Sequence, residues 1–203
     1  MRTLVPFDAL TPKSRLEPVL SADEREGFAR RMLEDVLAAV GGAGGDPLVV
    51  ATAPVECDAP TVVDDRPLSV AVNDRLDAGT AVVMADLALA TPRTLRAFFA
   101  ASGDVVIAPG LGGGTNALVV RDASFRTDYY GTSYLDHLRI AHERGLSVRE
   151  VDAARLAVDV DEPRDLADVL LRGEGESAAW LRERGVRLRD SNGRGRATRS
   201  RTE

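Results

Sequence analysis

Lysine is almost absent from this sequence of 203 residues: Lys13 is the single lysine, and the other 25 basic residues are arginines. Cysteine is equally scarce, because Cys57 stands alone, which excludes a disulfide within the chain. No apolar run approaches the roughly 18 residues of a membrane-spanning helix, and the N-terminus has no charged-then-apolar signal pattern. We therefore expect a cytoplasmic protein that does not insert into membranes.

The charge is acidic and unevenly distributed. The net charge is −6 overall, but residues 182–203 hold 8 arginines against 3 acidic residues, so residues 1–181 contain 18 basic and 29 acidic residues, a net −11. A strongly acidic surface argues against general nucleic-acid binding, and no nucleic-acid partner is expected. Acidic, nearly lysine-free sequences are typical of salt-loving archaea, although GC-rich coding alone could also exchange lysine for arginine.

The length and an apolar content of 44% suit one domain with a full core, which we predict to span residues 1–188. Residues 189–203 are rich in arginine and show no apolar periodicity, so we expect a disordered basic tail there.

Short apolar runs alternate with stretches of helical periodicity, which predicts an α/β fold with a mostly parallel, mixed sheet and helices on both faces. Ser21-Ala22-Asp23-Glu24 has the form of a capping box that begins the first helix, and Gly41-Gly42 ends it. The predicted strands are a run ending at Phe7, then 47–51, 61–63, 80–84, 104–108, 116–120, 147–151 and a run around Asp159, and the remaining predicted helices are 67–76, 91–99, 134–144, 163–170 and 177–184.

The single lysine follows the first predicted strand. Thr11-Pro12 is turn chemistry, so Lys13 and Arg15 are expected in a loop at the carboxyl end of that strand, the edge at which open α/β sheets bind ligands. A lysine ammonium suits a polyphosphate, and an arginine fork suits one phosphate or carboxylate. The pair therefore suits a triphosphate; the alternative is a solvated loop with two surface cations.

Carboxylates follow two later strands. Asp86 comes directly after the most apolar central strand, where an unpaired charge would be costly, so we predict that it binds Mg²⁺ shared with phosphate oxygens. Its alternative role is a cap before the helix at Thr91. Asp159 and Asp161 alternate on a predicted strand and point the same way, so one or both could complete the metal site. Asp165 is interpreted as a helix-start residue.

A glycine-rich stretch, Pro109 to Asn116, can form an anion-binding nest of backbone amides, or can be an ordinary flexible connection. Further along, Gly131 and Ser133 open a helix whose first amides suit an anion. His137 and His142 lie five residues apart on that helix and do not share a face, so neither is predicted to bind a metal.

Five of these motifs occur together in the order found in the family of 2-phospho-L-lactate guanylyltransferases, which the chain resembles over roughly residues 3–172. The motifs are Pro12-Lys13-Ser14-Arg15-Leu16, Asp86-Leu87-Ala88-Leu89, Gly113-Gly114-Thr115-Asn116-Ala117-Leu118, Gly131-Thr132-Ser133 and Asp159-Val160-Asp161-Glu162-Pro163-Arg164-Asp165-Leu166. The chain departs from the family at Ala88, where proline is usual. It also lacks the glycine-rich N-terminal loop of sugar nucleotidyltransferases.

The resemblance implies a GT-A-like nucleotidyltransferase fold, a homodimer, and transfer of GMP from GTP to 2-phospho-L-lactate with Mg²⁺ as cofactor, in the biosynthesis of coenzyme F-420. It also implies roles for individual residues. Lys13, Arg15 and Asp86 would be catalytic; Asp86, Asp159 and Asp161 would bind the metal; and Gly113, Gly114, Thr115, Asn116, Gly131 and Ser133 would bind substrate. Of these last six, Thr115, Gly131 and Ser133 would hold the phosphate and carboxylate of the acceptor.

Two alternatives stay open at this point. The same transfer could use phosphoenolpyruvate or 3-phosphoglycerate, since these acceptors differ from phospholactate by few atoms. The chain could also be a nucleotide-binding module without turnover, which Ala88 would slightly favour.

Overall fold

A computed structural model describes residues 1–191 and 194–199 of the chain. Within them a seven-stranded sheet has the strand order β3-β2-β1-β4-β6-β5-β7, and β8 and β9 form a separate pair. The strands are β1 Arg2–Phe7, β2 Asp46–Ala51, β3 Thr61–Val63, β4 Thr80–Val83, β5 Val105–Pro109, β6 Thr115–Val120, β7 Val148–Glu150, β8 Val186–Ser191 and β9 Arg194–Arg199. The helices are α1 Ala22–Gly42, α2 Leu68–Asn73, α3 Pro92–Ala100, α4 Ser133–Glu143, α5 Ala154–Ala157, α6 Leu166–Arg172 and α7 Glu176–Glu183.

The direction of β6 decides which residues can meet at the sheet edge. Strands β1, β2, β3 and β4 run parallel, and β7 runs parallel to β5. Strand β6 is antiparallel to both β4 and β5, so its first residues lie beside the carboxyl ends of those strands. Met84 donates its backbone N–H to the carbonyl of Asn116 at 3.0 Å, which fixes this junction. The predicted mixed α/β sheet is confirmed.

Two cores lie on opposite faces of the sheet, as expected for helices on both sides. One contains side chains of α1, α3, α6 and α7, including Phe28, Leu95 and Trp180; the other contains side chains of α2 and α4, including Val72 and Ile140. The predicted capping box is present, because Ser21 Oγ accepts from the Glu24 amide while Glu24 Oε2 accepts from the Ser21 amide at 3.0 Å. No helix in the described part of the chain is long and apolar enough to cross a membrane.

Two sequence predictions differ from the structure. Asp159 and Asp161 do not lie on a strand: in the described part of the chain residues 158–161 pair with no strand, and Val160 donates its amide to the carbonyl of Asp86 at 3.3 Å. The predicted disordered tail is also wrong for residues 189–191 and 194–199, which belong to the antiparallel pair β8 and β9. Residues 192–193 and 200–203 lie outside the described part of the chain.

The tail forms a hairpin because its apolar side chains have a surface to cover. Val186 and Ala197 are buried in the same core as α6 and α7, whereas Arg187, Arg189 and Arg196 are exposed. The hairpin is also joined to the start of α1, because Arg199 Nη1 donates to Glu24 Oε2 at 2.7 Å.

Candidate active site

Lys13 has an unusual backbone conformation. Its φ is 57°, and it is the one non-glycine residue with positive φ in the part of the chain that the structure describes. The residue precedes a short 3-10 turn, Ser14–Leu16, whose Leu16 is fully buried and anchors the loop to the core. The left-handed conformation normally costs an L-residue about 1–2 kcal/mol, so contacts of the side chain must hold it.

Those contacts are two carboxylates from distant parts of the chain. Lys13 Nζ lies 2.7 Å from Asp86 Oδ2 and 2.8 Å from Asp161 Oδ1, with only 12% of the lysine side chain exposed. Burial alone would lower the pKa of Lys13, but the two carboxylates outweigh burial and raise that pKa above its ordinary value. The ammonium therefore stays charged and joins the loop after β1 to the end of β4 and to the acidic segment.

Arg15 extends the same ion-pair network. Its Nη2 lies 2.7 Å from Asp161 Oδ2, so Asp161 has a cation on each of its two oxygens. Burial raises the pKa of Asp161, but Lys13 and Arg15 outweigh burial and hold the pKa below its usual range.

Asp86 and Asp159 are the carboxylates that could hold a divalent cation. Asp86 Oδ1 is buried and has no hydrogen-bond partner among the described residues, although the other oxygen of this carboxylate is paired with Lys13. Burial, and then the charge of Asp86, raise the pKa of Asp159, as expected for two carboxylates with too little positive charge between them. Among the described residues there is no group of three His, Cys, Asp or Glu side chains arranged for a metal. Two carboxylates suit Mg²⁺ that takes its other ligands from phosphates and water.

Two side chains position the acidic segment. Asp165 Oδ2 accepts the backbone amides of Asp161 at 3.0 Å and Glu162 at 2.7 Å. Asn116 Nδ2 donates to the carbonyl of Leu156 at 2.9 Å and to Asp159 Oδ1 at 3.2 Å. Sequence reasoning placed Asp165 at a helix start, which is correct, but missed its contacts with the residues before it. An Asp four residues after Asp161 and just before a helix was the available signal.

The glycine-rich loop lies against the start of α4. The Thr115 amide donates to Ser133 Oγ at 2.9 Å, and the Tyr134 amide donates to the Gly113 carbonyl at 3.3 Å. Gly113 has φ 84°, and a Cβ there would approach Thr132 Cγ2 at 3.1 Å, so glycine is required by both conformation and space.

Two cavities meet at Asp161. The larger, about 710 Å³, is lined by glycines of both loops and by the acidic segment, including Gly114, Gly131 and Asp159. The smaller, about 210 Å³, is lined by the charged residues Asp8, Lys13, Asp86 and Asp161 and otherwise by an apolar wall. That wall consists of Pro6, Phe7, Pro12, Ala29, Met32, Met84 and Ala85. Two ligands could therefore lie on either side of Asp161.

Residues 1–201 match the profile of one family, described as guanylyl transferase CofC like. The chain belongs to this family. The CofC-like relatives include the 2-phospho-L-lactate guanylyltransferase of Natronomonas pharaonis, 58% identical over 194 residues that cover 96% of both chains. That of Haloferax volcanii is 58% identical over 205 residues, 99% of this chain and 100% of the relative. These relatives confirm the family resemblance and its haloarchaeal character.

Solved structures show the same fold. A putative nucleotide-diphospho-sugar transferase from Desulfovibrio desulfuricans has a TM-score of 0.73 at 18% identity, covering 90% of this chain and 94% of that one. A nucleotidyl transferase from Methanothermobacter thermautotroptrophicus has a TM-score of 0.54 at 19% identity, covering 90% and 99%. The nucleotidyltransferase-like fold predicted for this CofC-like chain is therefore confirmed.

The predicted site residues are distributed over two adjoining regions. Lys13, Arg15, Asp86 and Asp161 are linked by direct contacts, and Asp159 lies beside them. Five more predicted residues lie where the glycine-rich loop meets α4 or at the wall of the larger cavity: Gly113, Gly114, Thr115, Gly131 and Ser133. Asn116 instead contacts the acidic segment, through Leu156 and Asp159.

Proposed function

We propose that this CofC-like protein transfers GMP from GTP to (2S)-2-phospholactate, forming lactyl-2-diphospho-5'-guanosine and pyrophosphate in the biosynthesis of coenzyme F-420. The observation that carries the proposal is the bridge from Lys13 Nζ to Asp86 and Asp161 where the two cavities meet. The names of the haloarchaeal relatives support the choice of substrates.

In the proposed reaction a phosphate oxygen of phospholactate forms a bond to the α-phosphorus of GTP, and the bond from that phosphorus to the bridging oxygen of pyrophosphate breaks. The protein contributes position and charge rather than a covalent intermediate. Lys13 and Arg15 would hold the triphosphate. Lys13 is suited to this role because its ammonium can exchange a carboxylate partner for a phosphate oxygen without moving its backbone.

Mg²⁺ is the proposed cofactor, and it would neutralise negative charge on the phosphates when bound. Of the three aspartates expected to bind it, Asp86 and Asp159 fit best, because one has an unpartnered buried oxygen and the other a raised pKa. Asp161 is already paired with Lys13 and Arg15, so we assign it to orienting those two cations.

The acceptor would occupy the larger cavity. Gly114 and Gly131 line this cavity and Gly113 belongs to the same glycine-rich loop, whose backbone amides would allow close approach of an anion. Thr115 and Ser133 are buried where that loop meets α4, and we propose that their hydroxyls contact the acceptor. Asn116 was expected to bind substrate directly. We propose a positioning role for it instead, because its amide group already donates to Leu156 and Asp159.

The direct test is pyrophosphate release from GTP in the presence of Mg²⁺ with each of three acceptors: phospholactate, phosphoenolpyruvate and 3-phosphoglycerate. We expect phospholactate to give the highest kcat/KM. A higher value with another acceptor would change the assigned substrate, and GTP binding without pyrophosphate release from any of them would indicate a non-catalytic nucleotide-binding module. Replacing GTP by ATP tests the choice of base.

We also propose a homodimer, expected from the family resemblance, and a cytoplasmic location, expected from the sequence. Light scattering on the purified protein should give a mass of about twice the 21.7 kDa of one chain, and a mass of 21.7 kDa would contradict the dimer.

A further inference from the structure

A buried histidine stands directly behind the proposed acceptor site. His137 lies on α4 and is fully buried. Its Nδ1 lies 2.8 Å from Thr115 Oγ1, and its Nε2 lies 2.9 Å from the backbone nitrogen of Asp128. The imidazole therefore spans from a loop residue to the first residue of β6.

The two contacts define which ring nitrogen carries the proton. The backbone N–H of Asp128 can only donate, so Nε2 must accept and carries no proton. A neutral imidazole then has its proton on Nδ1, which donates to Thr115 Oγ1. Burial supports the neutral form, because it lowers the pKa of His137 to about 4 although Asp128 and Asp136 act in the opposite direction.

Aromatic neighbours hold the ring in place. The centroids of Tyr129 and Phe125 lie 5.1 Å and 5.9 Å from that of His137. A 180° rotation of the ring about Cβ–Cγ would put a carbon atom in place of each nitrogen and break both hydrogen bonds inside this apolar contact, which is costly.

The fixed tautomer determines what Thr115 can do. Its hydroxyl accepts from His137, so its own proton remains to be donated, and within residues 1–191 and 194–199 it has no acceptor. Ser133 is in the same situation, because its Oγ accepts the Thr115 amide and its proton has no acceptor among the described residues. Two hydroxyl donors thus lie next to the glycine-rich loop and the first turn of α4, which suits an anion.

We propose that His137 is a positioning residue for acceptor binding: its Nδ1–H keeps the Thr115 hydroxyl oriented as a donor to the phosphate or carboxylate of the acceptor. The inference rests on the proposed function, because it takes the Thr115 region to be the acceptor site. The other histidine of the helix, His142, is exposed and has no such role.

Two isosteric substitutions separate the contacts of His137. In His137→Asn the side-chain amide group overlaps the position of Nδ1, so it keeps the hydrogen bond donated to Thr115 and loses the one accepted from Asp128. In His137→Gln the amide group overlaps the position of Nε2, so it keeps the hydrogen bond accepted from Asp128 and loses the one donated to Thr115. Each variant loses one of two hydrogen bonds, so the losses of stability should be comparable.

Steady-state kinetics should show KM for phospholactate raised about tenfold in His137→Gln, as expected for loss of one hydrogen bond to an anion, with KM for GTP unchanged. His137→Asn should recover most of this loss, and His142→Gln, the same exchange on the exposed part of the helix, should match the parent protein.

A double-mutant cycle tests whether His137 acts through Thr115. Thr115→Val should raise KM for phospholactate at least as much as His137→Gln, and the double variant should be no worse than Thr115→Val alone. Effects of His137→Gln and Thr115→Val that multiply, or equal effects of the Gln and Asn variants, would overturn the proposal.

Histidine tautomers can also be read without turnover, from the nitrogen chemical shifts of the ¹⁵N-labelled parent protein. The proposal requires Nδ1 protonated and Nε2 unprotonated at pH 7, and the reverse pattern would overturn it even if the variants fail to fold. If the parent protein releases no pyrophosphate with phospholactate, the proposed function fails, and the inference fails with it. If the parent is active but the variants do not separate, only the inference fails.

Discussion

Lys13 combines a strained backbone conformation with an ammonium group that forms two ion pairs in the candidate site. Glycine would adopt φ 57° without cost, so a lysine there gives up about 1–2 kcal/mol of backbone free energy. Its two ion pairs are short and largely shielded from water, and such pairs are worth more than exposed ones. The contacts of the ammonium group, rather than the conformation of the loop, explain why a lysine occupies this position.

Asp86 gives the clearest test at the scale of single residues. Asp86→Asn removes the charge but retains the shape, so we expect kcat to fall by about 100-fold or more, with a smaller change in KM for GTP. Asp46→Asn is the control, because Asp46 is exposed at the start of β2, the opposite edge of the sheet. Parent-like turnover by Asp86→Asn in Mg²⁺ would refute the metal assignment.

Asp159 and Asp161 should respond to pH with opposite signs. The folded-state pKa of Asp159 is raised, so its contribution to stability is present at low pH and is lost as the pH rises through that pKa. The folded-state pKa of Asp161 is lowered, so its contribution is present above the unfolded value and is lost as the pH falls through the folded value.

At pH 7 in EDTA, Asp159→Asn should therefore raise Tm and Asp161→Asn should lower it, and both differences should shrink towards pH 3. Thermal melts followed by circular dichroism across this range measure both effects. Shifts of the same sign in the two variants would contradict the charge distribution described here. With Mg²⁺ and GTP present, the Tm of Asp159→Asn should no longer exceed that of the parent protein.

The sequence alone identified residues that are unusual for their surroundings. Lys13 is the sole lysine and Asp86 ends an apolar strand, and both were predicted before any contact was known. His137 and Asp165 were not recognised as positioning residues, because their roles depend on partners brought close only by folding. Thr115, for example, is 22 residues from His137 along the chain.

At the scale of elements, the C-terminal hairpin contributes to the core. Val186→Ala removes two buried methyl groups, so we expect a loss of about 2 kcal/mol in the free energy of unfolding. This corresponds to a fall in Tm of roughly 4–8 °C for a chain of this size. Arg196→Ala, at an exposed position of β9, is the control and should change stability by less than about 0.5 kcal/mol. Equal melting temperatures for Val186→Ala and the parent would show that the hairpin does not pack.

Strands and helices were predictable where one face is consistently apolar, as in α1 and β4. The hairpin was missed because its arginines give the composition of a disordered segment, although Val186 and Leu188 alternate with Arg187 as in a half-buried strand. The strand expected around Asp159 has the same alternation but no neighbouring strand with a free edge. Pairing depends on the rest of the sheet, which local sequence does not contain.

At the scale of the whole molecule, the net charge of −11 on residues 1–181 should make stability depend on salt. Self-repulsion weakens as the screening length falls from about 10 Å at 0.1 M salt to about 3 Å at 1 M. We expect Tm to rise by several degrees between about 0.1 and 1 M KCl, more than in sucrose of equal osmolality. A Tm that is constant or falls with KCl would contradict this expectation.

The two halves of the proposed active site come from different stretches of the chain. The reversed direction of β6 brings them together at one end of the sheet. Lys13 and Asp86 come from the first 86 residues, whereas the groups proposed to hold the acceptor come from one continuous stretch, residues 109–133. Exchanging residues 109–137, which also include His137, between two members of the family should therefore change the acceptor preference and leave the nucleotide preference unchanged.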